Sequence, residues 1–492
     1  MWRHERAIAA VIALCVVAFF SLAAERTDPT VARDSWFCVS IGGSDCGWMH
    51  EQIKVEGSRI HTTNDMALTL GRAGSQVTVR VAWKFVEDPD GNPIECETQQ
   101  ISGAEVSRTT YHFLDKEIEV QENAGGRILK RKIPRPEGEW WTPARIERNL
   151  LALRTSGGVE ISYRTVDPAS GLRVVDMVSK RSGAGEAKTV RWTTTNSAVA
   201  IPTEEDVDSK GQVVMSRTNM AIGDMVVRLC SETQARKAPT GGGVDVIGRS
   251  MVLLPKPAPE LLRGKRSRLA VRSTDSQSLS LPASGAQRTQ ANPAGGLFVD
   301  VEVGRTSAAT AEELADARFV ASSILIDAND PAVQALAQRA LKAANLADDA
   351  PVMQRAEALR AFVVRFIVHK DLATAFAGAS AVAQSKSGDC SEHAVLLAAL
   401  LRAQGIPSRV ASGLIYAEEF GAKRNVFAWH MWTQALIAGA WVDLDATLYG
   451  RSFHPGHILI ATSAQDDAQL DADFSGLLTT IGAVSIEVVH VD

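Results

Sequence analysis

From Ser391 to Ala403 the chain reads SEHAVLLAALLRA, a run of good helix formers that is apolar on most faces. A helix of that kind is stable only when other elements cover it nearly all round, so it must lie at the centre of a domain. Its ends are marked. Gly388 and Asp389 continue a preceding helix badly, whereas Gly405-Ile406-Pro407 stops this one: glycine takes the left-handed cap and proline forbids another turn. Any fold for this region has to be built around that helix.

Cys390 falls in its first turn. There the unsatisfied backbone N–H groups and the positive end of the helix dipole stabilise a thiolate, and the same groups could hold an oxyanion. A buried structural cysteine, or half of a disulfide, fits the position as well. A thiolate nucleophile needs a base that later protonates the leaving group, and the base needs a third group to orient it.

Downstream, FAWHMWTQALIAGAWVDLDATL supplies both. It reads as two strands around residues 438–440. With an even-numbered loop, His430, Trp432 and Gln434 share a face with Trp441, Asp443 and Asp445. A four-residue loop over 436–439 pairs Ala435 with Ala440 and sets His430 directly opposite Asp445, which is then expected to hold the imidazole through Nδ1–H. Asp443 lies further off. His393, three residues beyond Cys390 on the same helix, lacks a visible third partner and reads as a packing or solvated histidine. Arg409 reads as a structural ion pair, and Trp432 and Trp441 either wall a substrate groove or pack the core.

The rest of the chain sets the context. Arg3 and Arg6 precede an apolar run from Ala7 to Ala24 that ends in small residues, which reads as an export signal over residues 1–24; the run is also about as long as the shortest bilayer span, so an uncleaved anchor stays open. The expected location is therefore outside the cytoplasm, periplasmic or extracellular. Once Cys15 is removed with the signal, five of the six cysteines remain, and an odd number implies a free thiol. The pairing expected is Cys38 with Cys46 and Cys96 with Cys230, leaving Cys390 free.

Residues 30–235 alternate as strands do: SQVTVRVAWKF is one example, and GVEISYRTV, DPASG and LRVVDMV read as strand, turn, strand. EDPDGNPIE reads as a hairpin turn and not a calcium loop, because its glycine comes too early. RKAPTGGG and SGAQRTQANPAGG are breaker-rich, so 236–308 reads as linker and strands. Helical spacing begins at Ala309, with TAEELADARFVASSIL, DPAVQALAQRALKAANL and APVMQRAEALRAFVVRFI in turn. Residues 309–492 form the expected catalytic domain, and the fold class is α+β with an antiparallel β-rich N-terminal region. Net charge is −5 with the two signs interspersed, which argues against a nucleic-acid partner. No zinc-ligand spacing is present, so no metal and no cofactor is expected.

GDCSEHAVLLAALLRAQGIPSRVASG, followed by WHMW and WVDLDAT, resembles the catalytic core of the transglutaminase-like superfamily, in particular exported bacterial proteins provisionally described as cysteine proteases. The resemblance is convincing over residues 350–460. It implies a papain-like core with Cys390 as nucleophile, His430 as base and Asp445 as orienter. The implied activity is thiol acyl transfer on a protein or peptide amide, hydrolysis by a peptidase or amidase first. Cross-linking of protein glutamines, or a non-catalytic scaffold that binds a cell-envelope partner through the N-terminal β region, is the alternative. The family commonly has an acid where Gln434 stands and a proline where Ala446 stands, and no calcium-site pattern of its animal enzymes is visible. Gln384, six residues before the nucleophile, invites comparison with the oxyanion glutamine of papain-like proteases but lies outside the motif.

Overall fold

The computed structural model describes residues 31–492 apart from 73–74, 103–104, 125–126, 169–170, 198–200, 221, 238–243, 275–278, 324, 348, 371–376 and 466–483. The export or anchor segment and most of the 236–243 linker lie outside the described residues. Among the described residues no helix is long and apolar enough to cross a membrane. The chain divides into two compact units, with the boundary at Val246 and Ile247.

The N-terminal unit is a 15-stranded sheet. It starts at β1 (Val31–Ile41) and β2 (Ser44–Glu56) and runs outward in chain order to the strand Arg127–Pro134. On the other side of β1 the order continues with β3 (Gly223–Cys230) and returns to Glu160–Asp167. Helix α1 (Pro143–Thr155) starts with proline at its first position, and the buried carboxylate of Glu87 accepts from Thr142 Oγ1 at 2.6 Å and from Ala144 N–H at 3.1 Å to close its N-terminus. Ile146 and Leu150 of α1 pack with Phe85, Tyr111 and Ile118 from one half of the sheet and Tyr163, Val166 and Met177 from the other, so both halves share one core. EDPDGNPIE is a hairpin turn: Asp88 spends its carboxylate on the N–H groups of Asp90 and Asn92.

The disulfide differs from the expected pairing: Cys38 bonds Cys230, and Cys46, Cys96 and Cys390 are free. The β1–β2 register explains why. Val39 pairs with Gly47 and Ser40 with Asp45, so Cys46 falls in a bulge, its side chain buried with the thiol donating to the Val39 carbonyl, while Cys38 sits on the opposite, partly exposed face. On that face its diagonal neighbour across β3 is Cys230, because Trp36 pairs with Cys230 and Cys38 with Arg228. Cys96 is sealed in the sheet core. Alkylation of the native, unreduced protein is therefore expected to block Cys390 alone, with peptide mapping joining Cys38 to Cys230; a Cys38–Cys46 link would contradict this register.

The C-terminal unit holds two sheets. The smaller orders four strands, with β4 (Arg266–Ser273) flanked by β6 (Leu297–Glu302) and the last strand of the chain, Val484–Val491, and β5 (Gln287–Ala291) outside β6. β5 lies in the stretch read as a breaker-rich loop. Its polar side chains hid a strand whose N–H and C=O groups pair with β6, and Gly295 and Gly296 of that stretch serve the turn between the two. TAEELADARFVASSIL gives only Ala311–Ala315 as α-helix, followed by a short 3₁₀ turn at Ala317–Phe319 where the Asp316 side chain recaps the chain.

Helices α2 (Pro331–Ala343), α3 (Val352–Phe366) and α4 (Ala379–Ser385) surround α5 (Cys390–Ala403). On its other side α5 meets β7 (Ser408–Phe420) and β8 (Lys423–Ile437), which form the larger sheet with β9 (Ala440–Leu444) and β10 (His457–Ser463). Every residue from Ser391 to Arg402 is buried. Leu396, Leu397, Leu400 and Leu401 pack with Val333, Leu359, Val363, Val410, Met431 and Ala435, each leucine contributing about 1.5–3 kcal/mol. Gly405 takes the left-handed conformation at φ 69°, and Arg402 donates to the carbonyls of Ala321, Ser408 and Ala464. The central helix is thus tied at its C-terminus and opens at its N-terminus onto the site.

Candidate active site

Asp389 caps α5: its side chain accepts from Ser391 N–H at 2.8 Å, and Glu392 reaches back to accept from Asp389 N–H at 2.8 Å. The other Glu392 oxygen accepts from Ala377 N–H at 3.1 Å, which ties the approach segment to the helix start. Gly388 is required here, since φ is +155° and a Cβ would meet Glu392 Cβ at 2.2 Å. Gly388→Ala is expected to displace the turn before Cys390 and to slow its alkylation and any turnover by on the order of 10²-fold, with thermal unfolding as the control for fold.

Cys390 is half-buried and His430 is buried. The Cys390 sulfur acts on the His430 imidazole and helps to hold its proton, and His430 Nε2–H donates to Asp445 Oδ2 at 2.7 Å. With Nε2 held by Asp445, Nδ1 is the ring nitrogen left for the sulfur, the reverse of the expected arrangement. The hairpin explains the rest of the difference. β8 and β9 are joined by a two-residue turn at Ala438 and Gly439, both at positive φ, which pairs Ile437 with Ala440 and Gln434 with Asp443. An even loop does put His430, Asp443 and Asp445 on one face, but Asp445 lies just beyond the end of β9 and reaches His430 diagonally, not from directly across.

Asp445 is fully buried and saturated with donors. Oδ2 accepts from His430 and lies 3.1 Å from His457 Nε2; Oδ1 accepts from Thr447 N–H and Oγ1–H at 2.7 and 2.6 Å. Arg360 of α3 fixes the backbone there, donating to the carbonyls of Asp445 and Leu448. Burial alone would raise the Asp445 carboxyl, but His430 and His457 hold it well below the usual range. Burial alone would lower His430, yet the Asp445 charge and hydrogen bond, with the Cys390 sulfur, push it up to about 10.

Asp443 has a different task. It accepts from Trp432 Nε1–H, Gln434 Nε2–H and Ala286 N–H at 2.7, 2.8 and 2.7 Å. Trp432 and Trp441 are both buried. Trp432 packs beside His430, and Trp441 lies under Arg409, which is ion-paired to Glu313 at 2.5 Å. Neither ring is a groove wall. His393 is buried, its Nδ1–H donating to the Asp389 carbonyl at 2.6 Å, and Gln384 is exposed on α4. His457, Thr447 and Arg360 were not read from the sequence; the HPGH stretch was the one signal for His457, and it comes after the matched blocks.

Residues 339–446 match the family model described as the transglutaminase-like superfamily. The chain carries a transglutaminase-like core. Cys390, His430 and Asp445 all fall within the matched segment, and His457 outside it. Two solved structures are similar to the chain. One, from Cytophaga hutchinsonii and provisionally described as a cysteine protease, is 16% identical, with 46% of this chain and 90% of that one covered and a TM-score of 0.29. The other, from Parabacteroides distasonis ATCC 8503 and provisionally described as a protease, is 10% identical, with 79% and 70% covered and a TM-score of 0.19. A search of curated proteins finds no match. In this transglutaminase-like core Gln434 stands where an acid is common, and its surroundings account for it: the amide donates to Asp443 and accepts from Arg409 Nε–H, whereas a second carboxylate would face Asp443.

Proposed function

We propose that the chain is a thiol acyl-transfer enzyme that hydrolyses protein or peptide amides outside the cytoplasm. The observation that carries this reading is His430, whose Nε2–H is held by buried Asp445 and whose proton the Cys390 sulfur at the mouth of α5 helps to hold. Cys390 Sγ attacks the carbonyl carbon of the amide, and the C–N bond breaks as His430 Nδ1–H protonates the departing amine. The product of that step is a thioester on Cys390. His430, now with a bare Nδ1, takes a proton from water, whose oxygen displaces the sulfur and releases the carboxylic acid. Asp445 keeps Nε2 protonated throughout, so the proton in play is always on the side of the sulfur. The helix N-terminus supplies positive potential for the anionic intermediate.

Water needs no second binding site, which favours hydrolysis; a lysine amine as acceptor would make the same thioester a cross-linking step. The apolar N-terminal run and the Cys38–Cys230 bond support export to an oxidising compartment. Incubation with a glutamine-rich protein and a fluorescent primary amine separates the outcomes. The proposal expects new peptide termini or released ammonia without amine incorporation, and stoichiometric incorporation would replace hydrolysis by transamidation. With His430 pushed up to about 10, the rate should hold through neutral pH and fall as pH nears 10, where the proton for the leaving group is lost.

A further inference from the structure

His454 and His457 are buried beside the site and take no part in the chemistry just proposed. Their hydrogen bonds fix where their protons are. His454 Nδ1 accepts the Gly456 N–H at 3.1 Å, so that nitrogen is bare. Burial, and next the neighbouring His457, take the His454 ring down to about 2, so it is neutral. His457 is the reverse. Its Nδ1 lies 2.8 Å from the His454 carbonyl oxygen and its Nε2 lies 3.1 Å from Asp445 Oδ2. A carbonyl and an ionised carboxylate only accept, so both ring nitrogens must carry hydrogen.

We propose that His457 is a buried imidazolium that shares Asp445 with His430, and that its charge favours the Cys390 thiolate. The titratable groups that face it are Asp445 and Asp443 from β9 and its end, His430 from β8 and His454 from its own turn. The Phe453 ring stacks on it at 4.1 Å, a contact that favours a cation. The balance of charge argues the same way. A thiolate, the His430 imidazolium and the Asp445 carboxylate sum to one negative charge, which a second imidazolium cancels, while buried Asp443 is held separately by the donors of Trp432, Gln434 and Ala286. His457 touches Asp445 and not the sulfur or a reacting atom, so it is a positioning residue. Its charge state stands on geometry alone, while its effect on Cys390 rests on the function proposed above.

A cation near the site favours the anion, so removing it should move the pH dependence of Cys390 alkylation upward, by about one unit. His457→Gln keeps a donor toward Asp445 but loses the charge, and His457→Asn serves if the glutamine variant does not fold. Alkylation of the full chain by iodoacetamide across pH is expected to give a profile shifted upward in either variant, with the plateau at high pH preserved. A profile that stays in place and only loses height would mean a structural role and overturn the proposal. Loss of pH dependence in His430→Ala, measured alongside, tests the thiol–imidazole reading separately. Histidine ¹⁵N spectra of the wild type near pH 7 read the charge directly: the signals absent from the His457 variant should show two protonated nitrogens, and one bare nitrogen would overturn the assignment. One ring nitrogen each of His430 and His457 and an oxygen of Asp445 lie within 4.8 Å of one another. Stoichiometric metal in the purified protein would therefore put a metal ion where the proposal puts a proton, and overturn it.

Discussion

Asp445→Asn should lower turnover by on the order of 10⁴-fold while leaving the protein folded. The carboxylate accepts from His430, from both Thr447 donors and from His457, so every direction around it already holds a hydrogen. An asparagine in that place must turn its NH₂ toward one of them. Turned toward His430, it takes Nε2 as its acceptor and forces the neutral imidazole to carry its proton on Nδ1, where it can no longer accept one from Cys390. The activation is then lost with the shape retained. Asp443→Asn should behave otherwise: one of the three N–H groups around it loses its acceptor, costing about 1–3 kcal/mol of stability with a far smaller change in turnover. Turnover and urea unfolding measured on both variants separate the two acids, and the opposite pattern would reverse their roles.

Arg33→Met should destabilise the N-terminal unit by about 3–5 kcal/mol. Arg33 is buried and donates to Glu51 at 2.5 Å and Glu147 at 3.0 Å, so its loss leaves two carboxylates facing each other without a cation. Burial is the main cause that pushes Glu51 up to about 7, with Arg33 opposing it. Between its unfolded value, near 4.5, and about 7 the folded state therefore binds more protons than the unfolded chain. Glu51 favours folding at the acid end of that window, and its contribution is lost as pH rises through it. Thermal unfolding followed from pH 5 to 7.5 should show this unit weakening with pH. A midpoint unchanged by Arg33→Met would show that the ion cluster does not hold the unit together.

The parts of the fold that could be read in advance are those where one local rule decides. The apolar run with a cap at each end had to be a central helix, and the alternation in SQVTVRVAWKF had to be a strand. Even parity in the β8–β9 loop was enough to put His430 and both acids on one face, because side chains in a strand alternate strictly. Loop length was not legible, since Ala438 adopts a positive φ that nothing in its identity announces. The choice between Nδ1 and Nε2 was not legible either, because it depends on which side of the ring faces the helix. Cys230 could not be assigned to Cys38 without knowing that the first strand pairs with one 192 residues away, and His457 enters the site from β10, on the far side of β7 from β8. Each of these is a contact between segments distant in sequence, which local pattern cannot encode.

The measurement that tests the central claim most directly is capture of the thioester. The full chain is mixed with an activated peptide ester, quenched in acid and analysed by intact mass and peptide mapping. One acyl group is expected per chain, on Cys390, released on return to neutral pH in the wild type. It should form but turn over slowly in Asp445→Asn, and it should be absent in Cys390→Ala. Acylation of another residue, or amide hydrolysis by Cys390→Ala at the wild-type rate, would contradict the account.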